Sequence, residues 1–127
     1  MVNKPKAKGT AAETRVVNFL LANEIPAGRV VLKGSKDEGD VHAFGGRLHV
    51  MLEVKAGKQT QRVSRKQKED WLIETRKEGI AADLMPYLVI ARHGSSVKDY
   101  EVWSSSGGQF FYLDEFIEFI SMGEEYG

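Results

Sequence analysis

The 127-residue chain reads as an α/β domain, a mixed β-sheet with helices packed against it. Three observations point there. Residues 39–44 and 47–55 alternate in polarity on either side of Gly45-Gly46, as the strands of a hairpin do. Two longer segments, opening near Thr10 and at Ser64, carry helix start signals. Short apolar runs at 29–33, 86–92 and 99–104 supply further strands.

Taken in order, residues 1–8 form a flexible basic arm, residues 9–122 a single domain and residues 123–127 an acidic tail that frays. Thr10-Ala11-Ala12-Glu13 has capping-box spacing. The helix behind it runs to about Asn23, with Val16, Val17, Phe19, Leu20 and Leu21 on its apolar side. A first strand spans 29–33, a loop 34–38, and the hairpin follows. A second helix covers 64–78, capped by Ser64 and stopped near Gly79. Strands at 86–92 and 99–104 precede a last helix over 113–120, which has Asp114 and Glu115 in its first turn. Phe110, Phe111 and Tyr112 are assigned to the core, and Trp71 with Leu72 to core or a dimer surface. The element order is αβββαββα.

Composition excludes several chemistries. With no cysteine there is no disulfide, thiolate metal site or cysteine nucleophile. No apolar run reaches the length of a membrane span, and the N-terminus lacks the apolar stretch of a signal peptide, so no membrane partner and a cytoplasmic location are expected. The formal net charge is zero, but it is unevenly spread. Residues 1–69 hold 14 Lys and Arg against 7 Asp and Glu, a surplus of +7; residues 70–127 hold 4 against 11, a balance of −7. Lys55, Lys58, Arg62, Arg65, Lys66 and Lys68 follow one another with no acid between them, a stretch suited to a phosphate backbone or to a solvated helix face.

A two-residue turn at Gly45-Gly46 pairs Phe44 with Arg47, His42 with His49 and Asp40 with Met51. Alternation then puts Val41, Ala43, Leu48, Val50, Leu52 and Val54 on one face, the core face. Asp40, His42, Phe44, Arg47, His49, Met51, Glu53 and Lys55 share the other. In that register Glu53 is diagonal to Asp40, with roughly 7–8 Å between backbones. Two converging carboxylates make a hard oxygen site suited to Mg²⁺ or Mn²⁺. A lysine two residues beyond one of them can orient or activate water, or neutralise a phosphate. Together they are a minimal kit for metal-assisted phosphodiester hydrolysis; a hairpin with solvated charges is the bland alternative. His42 and His49 face each other on the same side, where packing or phosphate contact competes with a histidine metal site.

These residues resemble the PD-(D/E)xK nuclease superfamily, and within it the archaeal and phage type of Holliday junction resolvase. The resemblance runs from Lys8 to about Ala91: KGTAAE opening a helix, a Gly-Ser loop, GDV, LEVK, then a basic helix and an apolar strand. It implies a restriction-endonuclease-like mixed sheet flanked by helices, and an Mg²⁺-dependent (or Mn²⁺-dependent) DNA endonuclease. Asp40 and Glu53 match the two main metal ligands, Lys55 the catalytic lysine and Glu13 an acid on the first helix that joins them. The Val54 carbonyl is an extra ligand in this reading, and Ser35 matches a loop serine near the site. Gly39 stands where the family has proline. DNA contact is assigned to Ser35, Lys36, Lys58, Arg62, Arg65 and Lys66. The resemblance further implies a branched DNA substrate, a symmetric homodimer and a prokaryotic or phage-host cytosol. Glu13 has a competing role as the capping-box acid of its own helix. Other branched or single-stranded DNA substrates, and a non-catalytic nucleic-acid-binding module, are the rival functions.

Overall fold

α1 (Lys4–Ala22) begins six residues before the Thr10 cap expected of it. Pro5 falls in its first turn, where its missing N–H costs nothing. Lys4, Lys6 and Lys8, expected in an arm, are therefore helical, and Glu13 lies in mid-helix rather than at a capping-box position. The structure, a computed structural model, describes residues 4–31, 39–46, 48–108 and 110–125, with side chains at all of these except 4–10, 31, 39, 40 and 122–125.

α1 closes with Glu24 in the left-handed region (φ 65°) and with the Ile25 N–H donated to Leu20 O at 2.9 Å. This is a Schellman ending on a non-glycine residue. β1 (Ala27–Val31), β2 (Gly39–Gly45) and β3 (Leu48–Lys55) then form an antiparallel meander. α2 (Arg65–Ala82) crosses over to β4 (Met85–Ile90), which lies parallel to β3. β5 (Glu101–Ser104) and β6 (Phe110–Tyr112) complete a six-stranded sheet in the order β1-β2-β3-β4-β5-β6, and α3 (Leu113–Glu125) ends the described chain. The mixed sheet with flanking helices is the fold expected, with one strand more.

That strand is β6. Phe110-Phe111-Tyr112 is too short to show a period, and it pairs with β5 at the sheet edge. Its outer rings are not core residues: Phe110 and Tyr112 are exposed, and only Phe111 packs inward. α3 runs past its expected end into residues 121–125, most of the way through the acidic tail.

The hairpin register differs from the expected one by two residues. Gly45 pairs with Leu48, and Gly46 follows the strand at φ 58°. Gly45 belongs to the strand, and α3 lies directly above it. A Cβ there would stand 3.1 Å from Ile120 O and 3.2 Å from Ile120 Cβ. An even shift keeps every side chain on its face. Val41, Ala43, Val50, Leu52 and Val54 accordingly form the main core with Ala12, Val16 and Leu20 of α1 and Leu113, Phe116 and Ile120 of α3.

The opposite face is covered by α2. Trp71 and Leu72 pack on Leu88 and Ile90 in a second, smaller cluster. Ser64 caps this helix, its Oγ accepting the Gln67 N–H at 3.1 Å. Gly79 does not stop it. The helix continues to Ala82 and ends on Asp83 at φ 57°. Gly79 is instead a contact point, since a Cβ there would stand 2.5 Å from Pro86 Cβ of β4. Among the described residues, no helix is long and apolar enough to cross a membrane.

Candidate active site

The corrected register sharpens the geometry of the acidic pair. Asp40 is the direct cross-strand partner of Glu53. Direct partners in an antiparallel pair have Cα atoms about 4.5–5.5 Å apart and side chains on one face. The row continues through Leu88 of β4 to Trp103 of β5. Lys55 occupies the next row on that face, beside Ile90. Asp40, Glu53 and Lys55 thus gather where β2 begins and β3 ends, on the face that α2 covers. Asp40 enters by register alone, its side chain lying outside the described residues.

Glu53 is buried, with 2% of its surface exposed. A carboxylate at that depth is costly and needs compensating charge or hydrogen bonds. Lys55 has a side chain only 13% exposed, and its Nζ lies 2.7 Å from Glu74 Oε1 of α2. The Trp71 ring centroid is 6.0 Å from the same nitrogen. Val54 turns its side chain into the main core on the other face, leaving its carbonyl as the group it could offer.

Glu13 is buried too, but on the other side of the sheet. Arg29 donates from Nε to Glu13 Oε1 at 2.8 Å. Arg29 pairs with Val41, so both belong to the α1 face, while Glu53 and Lys55 belong to the α2 face. The structure brings Asp40, Glu53 and Lys55 together by register and holds Glu13 to Arg29 across the sheet. Among the described residues, no three His, Asp or Glu side chains group closely enough to hold a metal ion. The oxygen donors of Asp40 and Glu53, on adjacent strands, fit a hard divalent cation by their chemistry.

His42 and His49 do not pair. His42 lies opposite Met51, and His49 opposite Phe44, whose ring it meets edge-on at 4.9 Å between centroids. Among the described residues His42 Nε2 is buried without a hydrogen-bond partner, and burial lowers the pKa of the ring from its ordinary 6.5.

The basic stretch after Lys55 is partly anchored and partly free to meet a ligand. Thr60 is fully buried and ties the loop to the end of β4. Its Oγ1 donates to Gly57 O at 2.7 Å and accepts the His93 N–H at 2.9 Å. Arg92, itself paired with Glu101 at 2.8 Å, donates to Thr60 O at 3.0 Å. Lys58, Arg62, Arg65 and Lys66 are exposed on this fixed segment and the first turn of α2. Lys68 is drawn away from them, its Nζ 3.7 Å from the centroid of the Trp103 ring. Ser35 and Lys36 lie outside the described residues.

Reasoning from the sequence missed Glu74 and Arg29, the partners of two proposed site residues. Glu74 follows Trp71 by three residues and so shares a helix face with it, but the strand beneath that face is set by the β3-α2-β4 crossover. Arg29 stands in a segment that looks like an ordinary strand.

The fold is a six-stranded mixed sheet with helices on both faces, in which an antiparallel hairpin meets a parallel crossover. A solved structure shares it: Hjc of Archaeoglobus fulgidus, a Holliday junction resolvase from an archaeal hyperthermophile, at a TM-score of 0.60 over 87% of this chain and 95% of that one, with 13% identity. No family model matches the sequence. No curated protein matches it either.

Proposed function

We propose that this chain is a metal-dependent DNA endonuclease that resolves four-way junctions. The observation that carries the proposal is the direct pairing of Asp40 with Glu53, with Lys55 two residues further along the same face. The likeness in fold to a Holliday junction resolvase supports the choice of substrate class. The basic segment from Lys58 to Lys66 supports contact with a phosphate backbone.

In this reading Asp40 and Glu53 would hold Mg²⁺ or Mn²⁺, with the Val54 carbonyl as a further ligand. A cation held there would supply Lewis-acid polarisation of the phosphate and a lowered pKa for water. Lys55 orients the attacking water and neutralises charge gathering on the phosphate oxygens. Water adds to phosphorus and gives up a proton; one bridging P–O bond breaks, and the departing oxygen takes up a proton. Lys58, Arg62, Arg65 and Lys66 hold the flanking backbone, and Ser35 and Lys36 are assigned to the same task. Glu13, held by Arg29 on the other face, would join the metal site only by leaving Arg29 and reaching around the sheet. Two matched cuts across a junction call for two active sites related by symmetry, and hence a homodimer. Such a protein works in the cytosol of a prokaryote or a phage host.

The test is cleavage of an immobile four-way junction against a matched linear duplex in Mg²⁺, with Lys55→Ala alongside. Paired symmetric nicks in the junction alone, lost in the variant, are the expected result. Equal cutting of both substrates keeps the nuclease and removes the junction. No cutting of either favours a nucleic-acid-binding module.

A further inference from the structure

α2 does more to the proposed site than cover it. Trp71 and Glu74, three residues apart, project from one side of the helix. Trp71 is buried against Leu88 and Ile90, and its carbonyl accepts the Thr75 hydroxyl at 2.7 Å. Ser64 pins the start of the helix and Gly79 lets its far end close onto Pro86. The middle of the helix and its far end are therefore packed against β4. From that platform Glu74 reaches Lys55 Nζ at 2.7 Å, beside the Trp71 ring.

Lysine is a poor choice for orienting a water molecule unless something restrains it. Its four-carbon stem has many rotamers, and its ammonium is a point charge without a preferred direction. The acidic neighbours of Lys55 on β2 and β3 are Glu53 and, by register, Asp40, both assigned to the metal. Glu74, among the described residues, approaches Lys55 from another element and is not one of the acids assigned to the cation. It is 39% exposed, so the pair is neither deep enough to carry the fold nor loose enough to be a solvated contact.

We infer that Glu74 is a positioning residue, which with Trp71 clamps the Lys55 ammonium in the orientation the cleavage step needs. This rests on the nuclease reading. It goes beyond it by assigning part of the active site to α2, where no motif marks it.

A double-mutant cycle tests the assignment. Single-turnover cleavage of the DNA substrate in Mg²⁺ is measured for wild type, Glu74→Ala, Glu74→Gln, Lys55→Ala and the Lys55→Ala/Glu74→Ala pair. Glu74→Ala is expected to slow cleavage by roughly 10–100-fold, the effect usual for a residue that orients a functional group from behind. Its DNA affinity and thermal midpoint should stay unchanged. Glu74→Gln keeps the length and one acceptor oxygen and should lose less. In the Lys55→Ala background the Glu74 substitution should have no further effect, because the group it acts through is gone. An equal loss in both backgrounds overturns the proposal, since a merely structural role would persist without Lys55.

A second measurement needs no turnover. Acylation of Lys55 by an amine-reactive ester, followed by mass spectrometry, should rise in Glu74→Ala and less so in Glu74→Gln. If wild type cuts no DNA and labelling still rises, the clamp exists and the nuclease reading falls. If labelling does not change, the clamp falls whatever the cleavage assay shows.

Discussion

The two faces of the sheet are built from the same strands by the same alternation, yet they are put to different uses. The face under α1 and α3 is apolar through β2, β3 and β4, and Val41, Val50, Leu52 and Phe116 are all fully buried there. A charge contact on it, Glu13 with Arg29, lies towards the β1 edge. The face under α2 has a small apolar plug of Trp71, Leu72, Leu88 and Ile90. Beside that plug it carries Glu53, Lys55 and the position of Asp40. One face holds the molecule together. The other keeps Glu53 and Lys55 largely buried beside a smaller apolar cluster.

The contrast is exposed by substitutions that should separate stability from activity. Phe116→Ala removes a fully buried ring that packs against Tyr87 at 4.8 Å between centroids. It should cost about 3–5 kcal/mol of unfolding free energy in a denaturant titration. Cleavage per folded molecule should hold, because no atom of the α2 face is touched.

Asp40→Asn should do the reverse. Cleavage should fall more than about a hundredfold, since even the outer partners of a metal ligand are worth roughly 10–100-fold. Calorimetry should show weakened Mn²⁺ binding, while DNA affinity and the unfolding midpoint hold. A variant that still cuts at the wild-type rate would remove the acidic pair from the mechanism.

Gly79→Ala is a smaller effect with an informative sign. In an isolated helix the change is favourable. Here the new methyl group meets Pro86 at 2.5 Å, and overpacking of about 1–3 kcal/mol should win. If α2 shifts in response, cleavage should fall with it, through the Glu74 clamp on Lys55.

Ser64→Ala should cost about 1 kcal/mol through the lost cap. Lys66→Ala should leave unfolding unchanged, because its partner Asp70 is 3.7 Å away and both side chains are largely exposed. Its effect should appear in DNA binding, where the slope of log affinity against log salt should fall by about one.

The assignment of side chains to faces was legible in the chain itself, because it depends only on a period of two. The register was off by two residues, yet Asp40, Glu53 and Lys55 remained together, since an even slip changes partners without changing faces. The Ser64 cap was legible for a similar reason, its hydroxyl serving an N–H only three residues away. Position-specific errors came from contacts distant in sequence. Gly45 reads as a turn residue until Ile120 is placed above it, and Gly79 as a helix stop until Pro86 is.

Local chemistry therefore carried the α/β class, the apolar face and the candidate trio, because each rests on spacings of a few residues. The direct opposition of Asp40 and Glu53, the edge strand β6, the retention of Glu13 by Arg29 and the reach of Glu74 to Lys55 were settled by assembly. Each joins residues from different elements, and no rule of spacing along the chain links them. Their geometry exists once the β3-α2-β4 crossover and the packing of α1 and α3 have fixed which faces meet.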